Sequence, residues 1–102
     1  MSRLRSGPWL IDSRADLVQG PRGSMRVAPK SMAVLVQLLS TPGEMVLKED
    51  LLRRVWPGDE VGEQVLTTAV YNLRRAFAAT ADARAPLDTV PRRGYVFSAE
   101  VE

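Results

Sequence analysis

The sequence predicts a small α+β domain: an N-terminal antiparallel sheet, three helices and a C-terminal β-hairpin. Three observations carry that expectation. Apolar residues come in short strand-like runs through the first third of the chain and change to a helical spacing from Pro29 onward. Clusters of turn formers, Gly20-Pro21-Arg22-Gly23-Ser24, Thr41-Pro42-Gly43 and Pro57-Gly58, punctuate those segments. Near the end, alternating β-prone residues flank Pro91-Arg92-Arg93-Gly94, a hairpin signal.

Taken in order, Trp9-Leu10-Ile11, Asp16-Leu17-Val18-Gln19 and Met25-Arg26-Val27 are the expected strands, short enough to suit a small sheet packed on helices. The first helix opens at Pro29, where a missing N–H costs nothing. It continues through Met32, Leu35, Val36 and Leu39. Val46-Leu47 fits a brief strand. The second helix spans Lys48 to Trp56, with Leu51, Leu52, Val55 and Trp56 on one face and Arg53 and Arg54 outside. Glu49 and Asp50 in its first turn complement the helix dipole. The third helix is the longest, from about Gly62 to Ala79. At ~100° per residue, Leu66, Val70, Leu73 and Phe77 form one narrow apolar stripe. Gln64, Thr68, Tyr71, Asn72 and Arg75 collect opposite it, with Thr67 and Arg74 at the flanks.

That opposite face decides the functional reading. A plain solvated helix side is usually rich in Glu and Lys. This one offers hydroxyls, amides, a phenol and arginine, the groups that bond to base edges and phosphates. The adjacent arginines Arg92 and Arg93 on a protruding hairpin add a second point of contact for phosphates or a minor groove. Trp56 and Phe77 continue apolar stripes and are expected in the core. Gly94-Tyr95 is expected to fix the hairpin turn and plug the ring onto the domain. Trp9 either covers the sheet or belongs to a dimer surface.

The bulk composition is permissive rather than decisive. The 102 residues make one domain, with residues 1–8 expected as a flexible N-terminal segment, 9–98 folded and 99–102 a C-terminal tail. The net charge is only +2, but it is unevenly spread. Residues 1–30 hold six basic side chains against Asp12 and Asp16, whereas residues 44–60 are predominantly acidic. There is no cysteine and no histidine, which removes disulfides, thiol chemistry and the commonest general base and metal ligand together. No spacing converges the carboxylates, so no catalytic residue, metal or cofactor is expected. No apolar run approaches the ~20 residues that span a bilayer, and the cytoplasm is the expected compartment.

Five stretches together resemble the OmpR/PhoB-type winged-helix DNA-binding domain, in texture its CadC-like branch of transcriptional regulators. They are Ala28-Pro29-Lys30-Ser31-Met32, Thr41-Pro42-Gly43-Glu44, Leu51-Leu52-Arg53-Arg54-Val55-Trp56-Pro57-Gly58, Ala69-Val70-Tyr71-Asn72-Leu73-Arg74-Arg75-Ala76-Phe77 and Thr89-Val90-Pro91-Arg92-Arg93-Gly94-Tyr95-Val96-Phe97. The resemblance covers roughly residues 9–98. It implies a winged helix-turn-helix made by the second and third helices, with the third helix in the major groove of double-stranded DNA and the wing at the minor groove.

Carried over by position, Thr68, Tyr71 and Asn72 would read bases. Gln64, Thr67, Arg74 and Arg75 would touch the backbone or groove edge, and Thr89, Arg92 and Arg93 would serve the wing. Gly58, Asp59 and Glu60 fall where family members contact RNA polymerase, although a plain acidic turn accounts for them equally well. The family pattern places Ser or Thr before the second helix as a cap, and Lys48 departs from it. Two copies on neighbouring half-sites fit such a domain. The alternative from another class is a winged-helix protein-interaction module without DNA binding, suggested by the small net charge.

Overall fold

The computed structural model describes residues 3–102. A four-stranded antiparallel meander comes first: β1 (Arg3–Ser6), β2 (Trp9–Asp12), β3 (Leu17–Gly20) and β4 (Gly23–Arg26), in the order β1-β2-β3-β4. Residues 3–6, expected to belong to a flexible leading segment, instead pair with β2 in the register Arg3↔Asp12 to Ser6↔Trp9. Residues 1 and 2 of that segment lie outside the described residues. Polar residues and two arginines hid β1 from a hydrophobic pattern. Backbone pairing, a buried Ser6 and the Arg3–Asp12 ion pair at 3.6 Å supply what the side chains lack. Strand alternation directs Ile11 and Val18 inward, where both are buried.

Helix α1 (Pro29–Leu39) starts with Pro at its first turn and ends where the Ser40 hydroxyl donates to the Val36 carbonyl at 2.9 Å. Its buried side chains are Ser31, Met32, Val34, Leu35, Leu38 and Leu39. Val36, expected in the stripe, is exposed instead. The helix packs against two further helices and the C-terminal hairpin, and this wider buried arc draws in Val34 and Leu38. Strand β5 (Val46–Leu47) leads directly into α2 (Lys48–Val55), with Trp56 closing its C-terminal end.

Helix α3 (Glu63–Thr80) runs through the middle of the molecule and touches α1, α2, β3 and β4. Its expected stripe is buried as a whole: Leu66, Val70, Leu73 and Phe77 are each at most 1% exposed. The Trp9 ring meets Phe77 edge-on at 5.0 Å, and its Nε1–H donates to the Phe77 carbonyl at 3.1 Å. Trp9 therefore covers the inner face of the sheet. At the far end of α3, the Thr80 carbonyl accepts from the Arg22 N–H at 2.9 Å. A Cβ on Gly20 would overlap that same carbonyl, so only glycine lets the β3–β4 turn dock there.

Strands β6 (Leu87–Val90) and β7 (Gly94–Phe97) form the C-terminal hairpin, and β5 joins it in the order β5-β7-β6. The C-terminal residues are tied back to the first strand. The Ser6 hydroxyl donates to the Glu100 carbonyl at 2.7 Å, and the Glu102 N–H to the Arg5 carbonyl at 2.8 Å. Among the described residues no helix is long and apolar enough to cross a membrane.

Candidate nucleic-acid interface

The exposed side of α3 is built by subtraction. Once its apolar stripe is buried against α1 and the sheet, the helix geometry leaves Gln64, Thr67, Thr68, Tyr71 and Arg75 in solvent. Tyr71 is 59% exposed, the most exposed large hydrophobic side chain among the described residues, and the Arg75 guanidinium lies 5.9 Å from its ring centroid. That distance is within the range of a cation–π contact, so the two side chains form one amphipathic projection.

Asn72 and Arg74 sit at the two edges of this face, and both are half-buried. Asn72 leans toward the sheet, where it lines a recess of about 240 Å³ with Arg75, Ala76, Met25, Arg26, Val27 and Ala28. Arg74 faces the hairpin: its Nε donates to the Leu87 carbonyl at 3.1 Å and a terminal nitrogen to the Thr89 hydroxyl at 2.7 Å. A helical wheel orders residues around the axis but does not show which neighbours close in from the sides. Here β4 encroaches on one flank and β6 on the other.

The hairpin tip carries Arg92 and Arg93, both exposed. The turn is closed by the Arg93 N–H donating to the Val90 carbonyl at 3.0 Å. Pro91 occupies the second position and Arg92 the third, with φ +66°. That is the type II arrangement, whose third position favours glycine. The left-handed position of the turn thus falls on Arg92, and Gly94, expected to fix the turn, lies just beyond it. Gly94 does a different job: a Cβ there would overlap the Val46 carbonyl, so glycine permits β5 and β7 to pair. Tyr95 is half-buried against the core.

Lys48 connects the pieces. Its backbone N–H donates to the Arg93 carbonyl at 2.9 Å, so the hairpin caps α2 where Leu47 supplies no side-chain cap. Its ammonium pairs with Glu63 at 2.7 Å, linking the start of α2 to the start of α3. The hydrogen bond to Glu63 raises the Lys48 pKa above the ordinary lysine value; burial opposes this, and the nearby charges of Glu63, Glu49 and Tyr95 add to it. Neither link was read from the sequence, because each joins residues far apart in the chain or across a turn.

Among the described residues the ion pairs are Arg3–Asp12, Lys48–Glu63, Arg53–Asp50 and Arg84–Asp88. Among the described residues Arg75, Arg92 and Arg93 have no carboxylate partner, and neither have Arg5, Arg14, Arg22, Arg26, Arg54 and Arg74. Gly58, Asp59 and Glu60 form an exposed turn between α2 and α3, with φ +76° at Gly58 and the Asp59 N–H on the Trp56 carbonyl at 3.3 Å. It stands apart as a feature of its own. Among the described residues no three carboxylates stand where they could hold one metal ion.

A family model described as "Transcriptional regulatory protein, C terminal" matches residues 22–97. The chain is 40% identical over 77 residues to the transcriptional regulator HilA of Salmonella typhimurium, covering 76% of this chain and 14% of that protein. It is 26% identical over 93 residues to the transcriptional activator CadC of Escherichia coli, covering 90% of this chain and 18% of that protein. The chain thus spans only a small part of these relatives. Among solved structures, the DNA-binding domain of E. coli CadC superposes with a TM-score of 0.86 at 24% identity, over 100% of this chain and 96% of that one. The Klebsiella pneumoniae RstA DNA-binding domain, in complex with the RstA box, gives 0.74 at 20% identity over 96% and 98%. The fold is therefore the winged helix-turn-helix of these regulators.

Proposed function

The chain belongs to the family of C-terminal domains of transcriptional regulatory proteins, and from that premise we propose that it binds duplex DNA sequence-specifically as the DNA-reading part of a bacterial regulator, in the cytoplasm. Helix α3 enters the major groove and the β6–β7 wing reaches the neighbouring minor groove. One observation carries this reading: an exposed face of uncharged hydrogen-bonding groups on α3 lies beside arginines that have no carboxylate partner. Thr68 and Tyr71 are the central base readers, with Asn72 at the sheet-side edge. Gln64, Thr67 and Arg75 hold the groove edge, and Arg92 and Arg93 hold the wing's phosphates. The RstA DNA-binding domain in complex with the RstA box offers a precedent for DNA binding by this fold.

Two copies on half-sites about one helical turn apart would place both α3 helices on one side of the duplex. The turn Gly58-Asp59-Glu60 is left facing outward, available to RNA polymerase. Selection of bound sequences from a random duplex pool tests the main reading. A motif with repeated half-sites is expected. Folded protein that enriches no motif at moderate salt would overturn it.

The net charge of +2 favours a second reading, a protein-interaction module of the same fold without DNA binding. Salt separates the two, because each phosphate contact contributes a slope of ~0.9 to the fall of log affinity with log salt. A shallow slope, unchanged by the Arg92→Ala/Arg93→Ala double variant, selects the interaction module.

A further inference from the structure

Arg74 differs from every other arginine on the proposed interface. Among the described residues the side chains of Arg75, Arg92 and Arg93 donate no hydrogen bond, whereas the Arg74 guanidinium is engaged within the chain, on the Leu87 carbonyl at 3.1 Å and the Thr89 hydroxyl at 2.7 Å. Both acceptors belong to β6. Asp88, between them, is turned to Arg84 at 2.6 Å, so Arg74 is held by neutral oxygens and not by a carboxylate. The planar fork of a guanidinium has its donors at fixed angles, and two acceptors from one strand therefore fix an orientation as well as a distance.

The position of β6 gives this contact its importance. It is the outer strand of the order β5-β7-β6, with β7 as its one strand neighbour. A two-stranded hairpin is marginal alone in water. The Leu87 side chain is buried, which pins one end of β6 to the core, but Thr89 and the tip residues Pro91, Arg92 and Arg93 are exposed. Arg74 spans that transition from pinned to free. It holds the part of the wing that leads to Arg92 and Arg93 against the middle of α3.

We infer that Arg74 is a positioning residue, a strut that sets the distance and angle between α3 and the wing so that both engage one duplex together. The inference deepens the DNA-binding reading above and rests on it for its functional consequence. Two contact points joined rigidly need no ordering when they bind, whereas a loose wing has to be ordered at that moment and adds less affinity. Thr89 is then the strut's seat.

The test uses Arg74→Met, which keeps an unbranched side chain but removes the guanidinium, beside Arg74→Lys and Thr89→Val. In the free protein, hydrogen exchange of β6 and β7 amides is expected to speed up roughly tenfold in Arg74→Met, the loss of charge-assisted bonds. Core amides of α3 stay unchanged. Thr89→Val gives a smaller rise, and Arg74→Lys, able to reach one acceptor, an intermediate one.

Duplex affinity of Arg74→Met is expected to fall about tenfold with the salt slope unchanged, since a strut contacts no phosphate. Adding Arg92→Ala/Arg93→Ala to Arg74→Met is expected to cost severalfold less than the same change in the wild type, because the wing is already uncoupled. Unchanged hairpin exchange would overturn the strut. So would strict additivity with the wing variant, or a salt slope reduced by ~0.9, the mark of a phosphate contact. If the wild type binds no duplex while Arg74→Met still loosens the hairpin, the strut stands and the DNA-binding reading fails.

Discussion

At the scale of single residues, exposure separates function from stability. Tyr71 contributes little to the core, so Tyr71→Ala is expected to change unfolding free energy by less than ~0.5 kcal/mol while weakening motif binding at least tenfold. Denaturant titration and duplex titration on the same preparation check both halves. Arg92 is the sharper case. A left-handed backbone costs a non-glycine residue ~1–2 kcal/mol, and the turn retains arginine there all the same. Arg92→Gly is expected to leave stability unchanged or raise it by up to ~1 kcal/mol, and to weaken duplex binding with a shallower salt slope. A destabilised variant in urea melts would show that the tip is not strained. Thr68, Tyr71 and Arg75 were legible in the sequence because periodicity alone puts them opposite Leu66 and Phe77. The half-burial of Asn72 and the internal commitment of Arg74 were not, since both depend on which strands flank the helix.

At the scale of elements, the helix-turn-helix and the wing support one another through Lys48. The Lys48 pKa is raised in the folded chain, so the Lys48–Glu63 link contributes its full stability below the ordinary lysine value. It loses that contribution as pH rises through the raised folded value. Melting temperatures of wild type and Glu63→Gln are therefore expected to differ at neutral pH and to converge only as pH climbs past the ordinary lysine value and through the raised one. A constant difference across that range would count against the link. Gly94 belongs to the same junction. Gly94→Ala is expected to cost ~1–3 kcal/mol, because β7 must move off the Val46 carbonyl. The three helices, β5 and the hairpin were legible from periodicity and turn chemistry. Strand β1 was not, because an edge strand of arginine, leucine and serine has no apolar alternation and draws its order from β2 and from the C-terminal residues.

At the scale of the whole molecule, the N-terminal sheet and the C-terminal hairpin enclose the helices and are bound to the same core. Phe77 meets Trp9 from the sheet and, at 6.3 Å, Phe97 from the hairpin. Phe77→Ala is expected to cost ~3–5 kcal/mol, a large part of the ~5–15 kcal/mol typical of a domain. The two tryptophans test whether the molecule melts as one body, since Trp9 reports on the sheet and Trp56 on the end of α2. Single-tryptophan variants Trp9→Phe and Trp56→Phe are expected to give coincident fluorescence transitions in urea. Separated midpoints would make the sheet an independent unit. The cap that the hairpin places on α2 also imposes an order in time. The Arg93 carbonyl leaves the ribosome long after the Lys48 N–H it receives, and β5 likewise waits for β7. During synthesis this cap and the β5–β7 pairing form only after the last strand has emerged, so the start of α2 is the part of the helix-turn-helix completed last.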